Sequence, residues 1–377
     1  MYLSETAKKL GDAGYRVDIY TVAALNQPSS IQILDTNVRL IYLAVDSREP
    51  VTKENLIHYI PQIFQQFNKT VAREGKSYSA VHSHYWLSGL LGELVCRKYN
   101  LLHLITFHTL GAVKNRACGD ENEPALRIHH ENHLVKNCDR IVAFTKEEKE
   151  DLRSLYRADT AKIDCIPCGV NQRVFYPLDR DECRNKLKIP EKTKVILFVG
   201  RFVSIKGIEP LLQAFSLLQK YPLQLQLVGG EESEAAAVKK KYFQAYSLRE
   251  SEEIFFPGTV DQQKLRLYYS AADALVIPSY HESFCLVALE ALSCGIPIIA
   301  SAVGGIPEIV TPGTGVIVKP ADAGELAEAI SAMLFSKDIQ ILSRNDLRHS
   351  VSAYSWDRTA MQLMHIFEEY KKYSREM

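Results

Sequence analysis

Short apolar runs alternate with helix-period segments along the whole chain. In the second half the runs 194–199, 224–228, 254–256, 274–277, 296–300 and 315–318 read as buried strands, with helical patterns such as 207–219 and 262–271 between them. The first half repeats the alternation with strands at 17–22, 38–45, 80–84, 102–107 and 140–145. This is the βαβα signature of an α/β protein built on doubly wound parallel sheets. Around Phe175, Tyr176 and Pro177 the pattern breaks into a polar linker, which predicts two domains, 1–176 and 177–355, facing a cleft. Segment 356–370 reads as a closing amphipathic helix. The chain opens directly on a helix, 2–13, followed by Gly14 and a strand. A doubly wound half normally starts with a strand and a glycine-rich turn, so the first domain is expected to lack its first strand and to leave backbone groups unpaired.

Composition narrows the classes. The 377 residues suffice for two domains. Lysine plus arginine equals aspartate plus glutamate at 45 each, so no nucleic-acid or anionic-membrane partner is implied. No apolar run is long enough for a transmembrane helix and no signal-peptide pattern opens the chain, so a cytoplasmic protein is expected. Eight cysteines lack a framework spacing. The pair Cys165 and Cys168 in C-I-P-C has no second pair to complete a zinc site, so these read as ordinary thiols. The cluster His129, His130, Glu131 and His133 is not H-E-x-x-H and reads as a charged helix face.

Candidate chemistry concentrates after strands. In P-S-Y-H-E-S-F-C-L-V-A-L-E, starting at Pro278, Glu282 closes a turn and Glu290 lies eight positions on, inside an apolar helix. At ~1.5 Å rise per residue the two acids are roughly 8–12 Å apart. Free N–H groups of Ser283, Phe284, Cys285, Leu286 and Val287 would open a helix N-terminus between them, a seat for phosphate. An acid for sugar hydroxyls, an anion seat and a second acid for ribose hydroxyls suit a nucleotide sugar. In V-G-R-F-V-S-I-K-G, Arg201 and Lys206 place two cations where a strand turns into a helix. Such cations can stabilise charge on a departing diphosphate. The motif is neither G-x-G-x-x-G nor a P-loop, which weakens dinucleotide and kinase readings.

These motifs resemble the E-x-x-x-x-x-x-x-E and G-R-x-x-x-x-K-G motifs of retaining glycosyltransferases of the two-Rossmann, B-type fold, the sucrose-synthase-like superfamily. The resemblance spans nearly the whole chain. It implies two Rossmann-like domains, with the helix 356–377 packing back on the first. Where that family usually reads E-P-F-G, this chain reads E-S-F-C: Ser283 could cap the helix, and Cys285 stands where a glycine meets the sugar. In F-P-G-T-V-D the resemblance assigns the backbone around Val260 to the nucleotide base, which leaves uridine, guanosine and adenosine open, with UDP-glucose as the representative donor. V-G-G-I-P-E, from Val303, is given helix-start geometry and no chemistry.

In the first half, H-S-H-Y-W-L-S-G from His82 and T-F-H-T-L-G-A-V-K-N from Thr106 each follow a strand. The former looks very like sucrose-phosphate synthases and the inositol-phosphate glycosyltransferases of mycothiol synthesis. The resemblance makes His108 the histidine at the donor sugar. With Glu282, Arg201 and Lys206 it completes the expected catalytic set. Lys53, Tyr85, Thr109, Lys114 and Arg127 match positions where relatives hold an acceptor phosphate, chemistry that suits arginine and lysine. His82 and His84 are expected to be structural rather than metal ligands. The implied enzyme is a retaining hexosyltransferase. It would take a nucleoside diphosphate sugar as donor substrate and a small, phosphorylated sugar or polyol as acceptor. It would need neither cofactor nor metal. The alternatives are a glycan-elongating transferase or nucleotide-sugar epimerase on the same fold, or a non-catalytic binding protein impaired by the lost strand. The oligomeric state stays open.

Overall fold

The computed structural model describes residues 1–117, 123–248, 253–336 and 339–373. The chain forms two compact units. One comprises residues 1–115, 122–167 and 356–377; the other is 168–355 with the short segment 116–121. The first unit ends at Pro167, earlier than the 176 expected, because the segment read as a linker is buried in the second unit. There Phe175 is fully enclosed against the Tyr269 ring, and Val170 donates its N–H to the carbonyl of Tyr354 at 3.0 Å.

The first unit holds strands β1 (Val17–Val22), β2 (Ser30–Asp35), β3 (Val38–Leu43), β4 (Ala80–His84), β5 (Leu102–Thr106), β6 (Arg140–Ala143) and β7 (Ile163–Cys165). They form two sheets, β1-β3-β2 and β4-β5-β6-β7. All pairs are parallel except β2 with β3. β1 and β4 each keep one edge without a strand partner among the described residues. The helix Leu56–Glu74 seals the first sheet by packing Ile63, Phe67 and Val71 on Ile41 and Leu43. Arg39 on β3 clamps Asp18 on β1 with two bonds of 2.7 and 2.6 Å, and Tyr78 donates to the same carboxylate at 2.6 Å. The last helix, Trp356–Tyr373, belongs to this unit: Leu363 and Ile366 pack on Leu102, Leu104, Val142 and Ile166.

The second unit carries β8 (Lys194–Val199), β9 (Leu223–Val228), β10 (Ile254–Gly258), β11 (Ala274–Ile277), β12 (Ile298–Ser301) and β13 (Gly315–Val318) in one parallel sheet ordered β10-β9-β8-β11-β12-β13. Chain order reverses between β8 and β11, which makes that boundary the switch point where ligands of such sheets bind. Helix starts after the strands follow capping chemistry: Asp261 and Asp322 accept the N–H groups of Lys264 and Glu325, each at 2.9 Å.

At the amino ends of the switch-point strands one carboxylate holds the unit together. Asp273, 5% exposed, accepts from Val195 N at 2.8 Å, Arg184 at 2.7 Å, Lys194 at 3.1 Å and from Arg180. Burial opposes its ionisation, but these cations outweigh it and hold its pKa below 3.8. A depressed carboxyl contributes stability above its unfolded value and loses it as pH falls through the folded one. Asp273→Asn therefore strands the buried Arg184 and is expected to cost about 3 kcal/mol. Thermal melts should show a drop of several degrees at neutral pH that shrinks as the pH falls through the lowered folded pKa of Asp273, where the parent carboxyl loses its charge too. An unchanged melting temperature at neutral pH would refute this role.

Candidate active site

The donor motifs meet at the switch point, and two glycines set how closely. The turn after β8 ends at Gly207, whose φ is +71°; a Cβ there would lie 1.9 Å from the carbonyl oxygen of Pro278, the residue after β11. The N–H of Tyr280 bonds the carbonyl of Ile205 at 2.9 Å. So docked, Lys206 donates to Glu282 Oε1 at 2.8 Å, and Ser279 donates to the same oxygen at 2.8 Å. Both bonds fall on Oε1, so Oε2 has no hydrogen-bond partner among the described residues. Gly304, at φ +53°, supports the turn from behind: a Cβ would lie 1.5 Å from the carbonyl oxygen of Glu282. V-G-G-I-P-E was expected to do no more than start a helix; its first glycine is what lets the Glu282 turn close. Arg201 lies exposed near the same turn in sequence and makes no ion pair among the described residues.

The helix that starts between the two acids and carries Glu290 is Leu286–Ser293. Its N-cap is Cys285, with no side-chain cap of its own, and not Ser283, which was expected at that position. Cys285 has φ +78° and ψ +70°, the left-handed region where a glycine is at ease. The family's glycine at this position is thus explained by backbone geometry, and the cysteine holds it at a cost of about 1–2 kcal/mol. Glu290 lies on the buried face, 3% exposed, and accepts from Tyr269 at 2.8 Å through Oε2. Burial pushes its carboxyl up to about 7, and the Tyr269 bond only partly offsets this. Tyr269 had no motif to announce it, and Ser279 lay in the quoted motif with no role assigned. Val260, half-buried, follows β10. Beside that strand end a cavity of about 570 Å³ is lined by Phe202, Gly229, Glu231, Lys239, Phe256 and Gly258.

In the first unit the carboxyl ends of β4 and β5 adjoin. His82 bonds Thr106 at 2.8 Å, and His84 Nδ1 bonds His108 Nε2 at 3.0 Å. Packing lowers all three imidazoles, His82 to about 3 and His108 to about 4, so they are neutral at physiological pH. A neutral His108 offers a hydrogen bond rather than a charge. His108 and Tyr85 both have positive φ, +62° and +78°. For non-glycine residues this is strain of the kind that clusters at functional sites.

The five residues expected at an acceptor phosphate come together in this unit. Arg127 lies over the Tyr85 ring at 4.9 Å and Lys53 over the same ring at 5.5 Å. The hydroxyl of Tyr85 is enclosed and has no hydrogen-bond partner among the described residues. Arg127, 2% exposed, donates to the Thr109 carbonyl at 2.6 Å and hydroxyl at 3.0 Å, to Glu131 at 2.7 Å, and pairs with Glu123 at 2.9 Å. Lys114 pairs with Glu123 too. Glu131 is not on a charged surface face, as its neighbours suggested. It is fully buried and accepts from Gly111 N at 2.9 Å, Arg127 and Tyr156 at 2.6 Å. His129 and His133 are exposed, and His130 stacks on Trp86. Glu123 and Glu131 were outside the expected site; only their contacts reveal them.

Glu290 gives a pH test. Moving a carboxyl from 4.5 to about 7 means a cost of up to about 3 kcal/mol once it ionises in place. The raised folded pKa makes its stability contribution complete below 4.5 and lost as pH rises through about 7. Glu290→Gln should therefore melt higher than the parent at about pH 8 and no higher at about pH 4. Equal melting temperatures at both pH values would show that the site does not strain this carboxylate.

Comparison with known proteins agrees with this geometry. Residues 1–173 match the Glycosyltransferase Family 4 model and residues 179–354 the Glycosyl transferases group 1 model. D-inositol 3-phosphate glycosyltransferase of Geodermatophilus obscurus is 35% identical over 97% of this chain and 83% of its own length. The enzyme of that name from Actinosynnema mirum is 33% identical over 100% of this chain and 93% of its own. The solved structure of sucrose-phosphate synthase from Thermosynechococcus elongatus superposes with a TM-score of 0.88 at 32% identity, covering 98% of this chain and 93% of the other. With relatives of that identity matched along nearly their full length, the chain belongs to the glycosyltransferases of the two-Rossmann, B-type fold, alongside the inositol 3-phosphate glycosyltransferases and sucrose-phosphate synthase.

Proposed function

We propose that this glycosyltransferase moves a hexose from a nucleoside diphosphate sugar to a small phosphorylated polyol or sugar, with retention of anomeric configuration. The observation that carries the donor half is the pair of acids in the second unit. Glu282 and Glu290 each spend one oxygen on a protein partner and keep the other for a ligand hydroxyl. Lys206 and Arg201 supply charge for the departing diphosphate, and the cavity beside β10 offers an aromatic-walled seat for a base. The acceptor half rests on the Lys53, Lys114 and Arg127 cluster around Tyr85, together with the phosphorylated acceptor in the names of the inositol 3-phosphate relatives. In this reading no carboxylate attacks covalently. Leaving-group oxygens help deprotonate the acceptor on the same face, and the protein contributes positioning and charge stabilisation. His108, neutral, donates or accepts one hydrogen bond at the sugar.

The seven described cysteines are all free thiols, and no helix among the described residues is long and apolar enough to cross a membrane. Both fit a cytoplasmic setting in this proposal.

The direct test incubates the protein with UDP-, GDP- and ADP-glucose and a panel of phosphorylated and unphosphorylated polyols and sugars, D-inositol 3-phosphate included. NMR of the product reads the anomeric configuration. Transfer with retention to a phosphorylated acceptor is expected; inversion, or hydrolysis alone, would overturn the reading.

The two acids should separate in kinetics. Glu290→Ala is expected to weaken UDP binding about tenfold or more, the loss of a charged hydrogen-bond partner at the ribose. Glu282→Ala should chiefly lower kcat, because its partner is the reacting sugar. Calorimetry and initial rates that leave both variants like the parent would undo the assignment. Arg201 and Lys206 are further proposed to make a divalent metal dispensable. Turnover should then survive EDTA, and its loss with rescue by magnesium or manganese would contradict the mechanism.

A further inference from the structure

Resting on the acceptor reading above, we propose that Glu123 is a resident carboxylate that occupies the anion seat, and that an acceptor phosphate binds by displacing it. The pairing of each oxygen leads there. One oxygen of Glu123 meets Lys114 and the other meets Arg127 at 2.9 Å. Its carboxylate has no other partner among the described residues: it is held by the two cations that a phosphate would use. Burial alone would raise its pKa, but those cations pull it below 4.5, so it is ionised whenever the enzyme works.

The other bonds of Arg127 are not exchangeable in the same way. Its Nε is engaged by Glu131, which is fully buried and also held by Gly111 N and Tyr156. Its NH2 bonds the backbone carbonyl and hydroxyl of Thr109. Only the nitrogen facing Glu123 can be handed to a ligand without stranding a buried group. A dianion arriving beside an intact Glu123 would meet like charge; one arriving in its place keeps both cations paired.

The backbone of Glu123 is fixed while the side chain is left to move. Asn115 accepts the Glu123 N–H at 2.6 Å and donates to its carbonyl at 3.3 Å, so the residue is pinned just before the helix Ala125–Asn137. A pinned backbone returns the carboxylate to the same cations after each exchange. Glu123 therefore sets how much phosphate affinity the cluster shows. A neutral polyol offers nothing to draw Lys114 and Arg127 away from a carboxylate, so the exchange selects for anionic acceptors.

The test measures binding of inorganic phosphate and of D-inositol 3-phosphate to the full chain by calorimetry at fixed ionic strength. Glu123→Gln keeps the shape and removes the charge; it is expected to bind both on the order of tenfold tighter than the parent. Glu123→Ala, a second route to the same loss of charge, should tighten binding likewise, and melting curves confirm that each variant is folded. Lys114→Gln is the control for the seat itself and should weaken both. If Lys114→Gln weakens binding while neither Glu123 variant tightens it, the acceptor seat stands and the displacement is wrong. If none of the three changes phosphate binding, the acceptor reading fails and this inference with it.

Discussion

The donor half depends on two places where backbone comes closer to backbone than a side chain would allow. Gly207 lies against the Pro278 carbonyl and Gly304 against the Glu282 carbonyl, at separations where a Cβ would fall inside 2 Å. Three loops, after β8, β11 and β12, are thereby stacked at the carboxyl edge of one sheet. The stacking is what turns Lys206 and Glu282, far apart in sequence, into a pair at 2.8 Å. Because the contacts are backbone on backbone, no rotamer change can relieve an added methyl group. The whole turn would have to move, and Glu282 with it. Preorganisation here is built from absent side chains rather than from added bonds.

Backbone strain gathers at candidate site positions within each unit. Tyr85, His108 and Cys285 each follow a strand or open a helix, and each has φ between +62° and +78°. Six other non-glycine residues share positive φ, and several are ordinary helix ends: Asn100, Arg157 and Lys188 are C-caps. The three at candidate site positions have no such excuse. Packing holds them: Tyr85 between Lys53 and Arg127, His108 against His84, Cys285 under a buried helix start.

Much of this was legible in the sequence, for identifiable reasons. The strands β8 and β11 fall where apolar runs predict them, because a parallel strand covered on both faces leaves no polar alternation to confuse the reading. β2 was not legible. Every side chain of S-I-Q-I-L-D but the last is exposed, Ile33 at 67%, so no face is marked by burial. β7 has three residues, too few to show a period. The donor motifs were visible because chemistry and spacing coincide within one loop. Tyr269 was not, because its hydrogen-bond partner Glu290 is supplied by another segment and leaves no local trace. The linker at Phe175 was misread because a buried aromatic flanked by Asn171, Gln172 and Pro177 looks polar on average.

Carboxylates at opposite ends of these sheets do different work, and their oxygens show it. At the amino ends, Asp273 has both oxygens filled by cations and a backbone N–H, an arrangement with nothing left to offer. Glu131 is likewise filled, by Gly111, Arg127 and Tyr156. These acids fix structure, since removing any partner would strand a buried charge. At the carboxyl end of the second unit's sheet, Glu282 and Glu290 each hold one oxygen in reserve. The held oxygen sets the orientation of the carboxylate, and in the proposed function the reserved one would meet the ligand, which avoids the rotamer entropy a free glutamate would lose on binding. Glu290 maintains this arrangement against burial strong enough to raise its pKa to about 7. A ligand hydroxyl donating to the open oxygen would stabilise the ionised form and draw that pKa down. In the proposed function the site would thus hold part of its binding free energy in a buried acid whose ionised form is unfavourable in the empty protein.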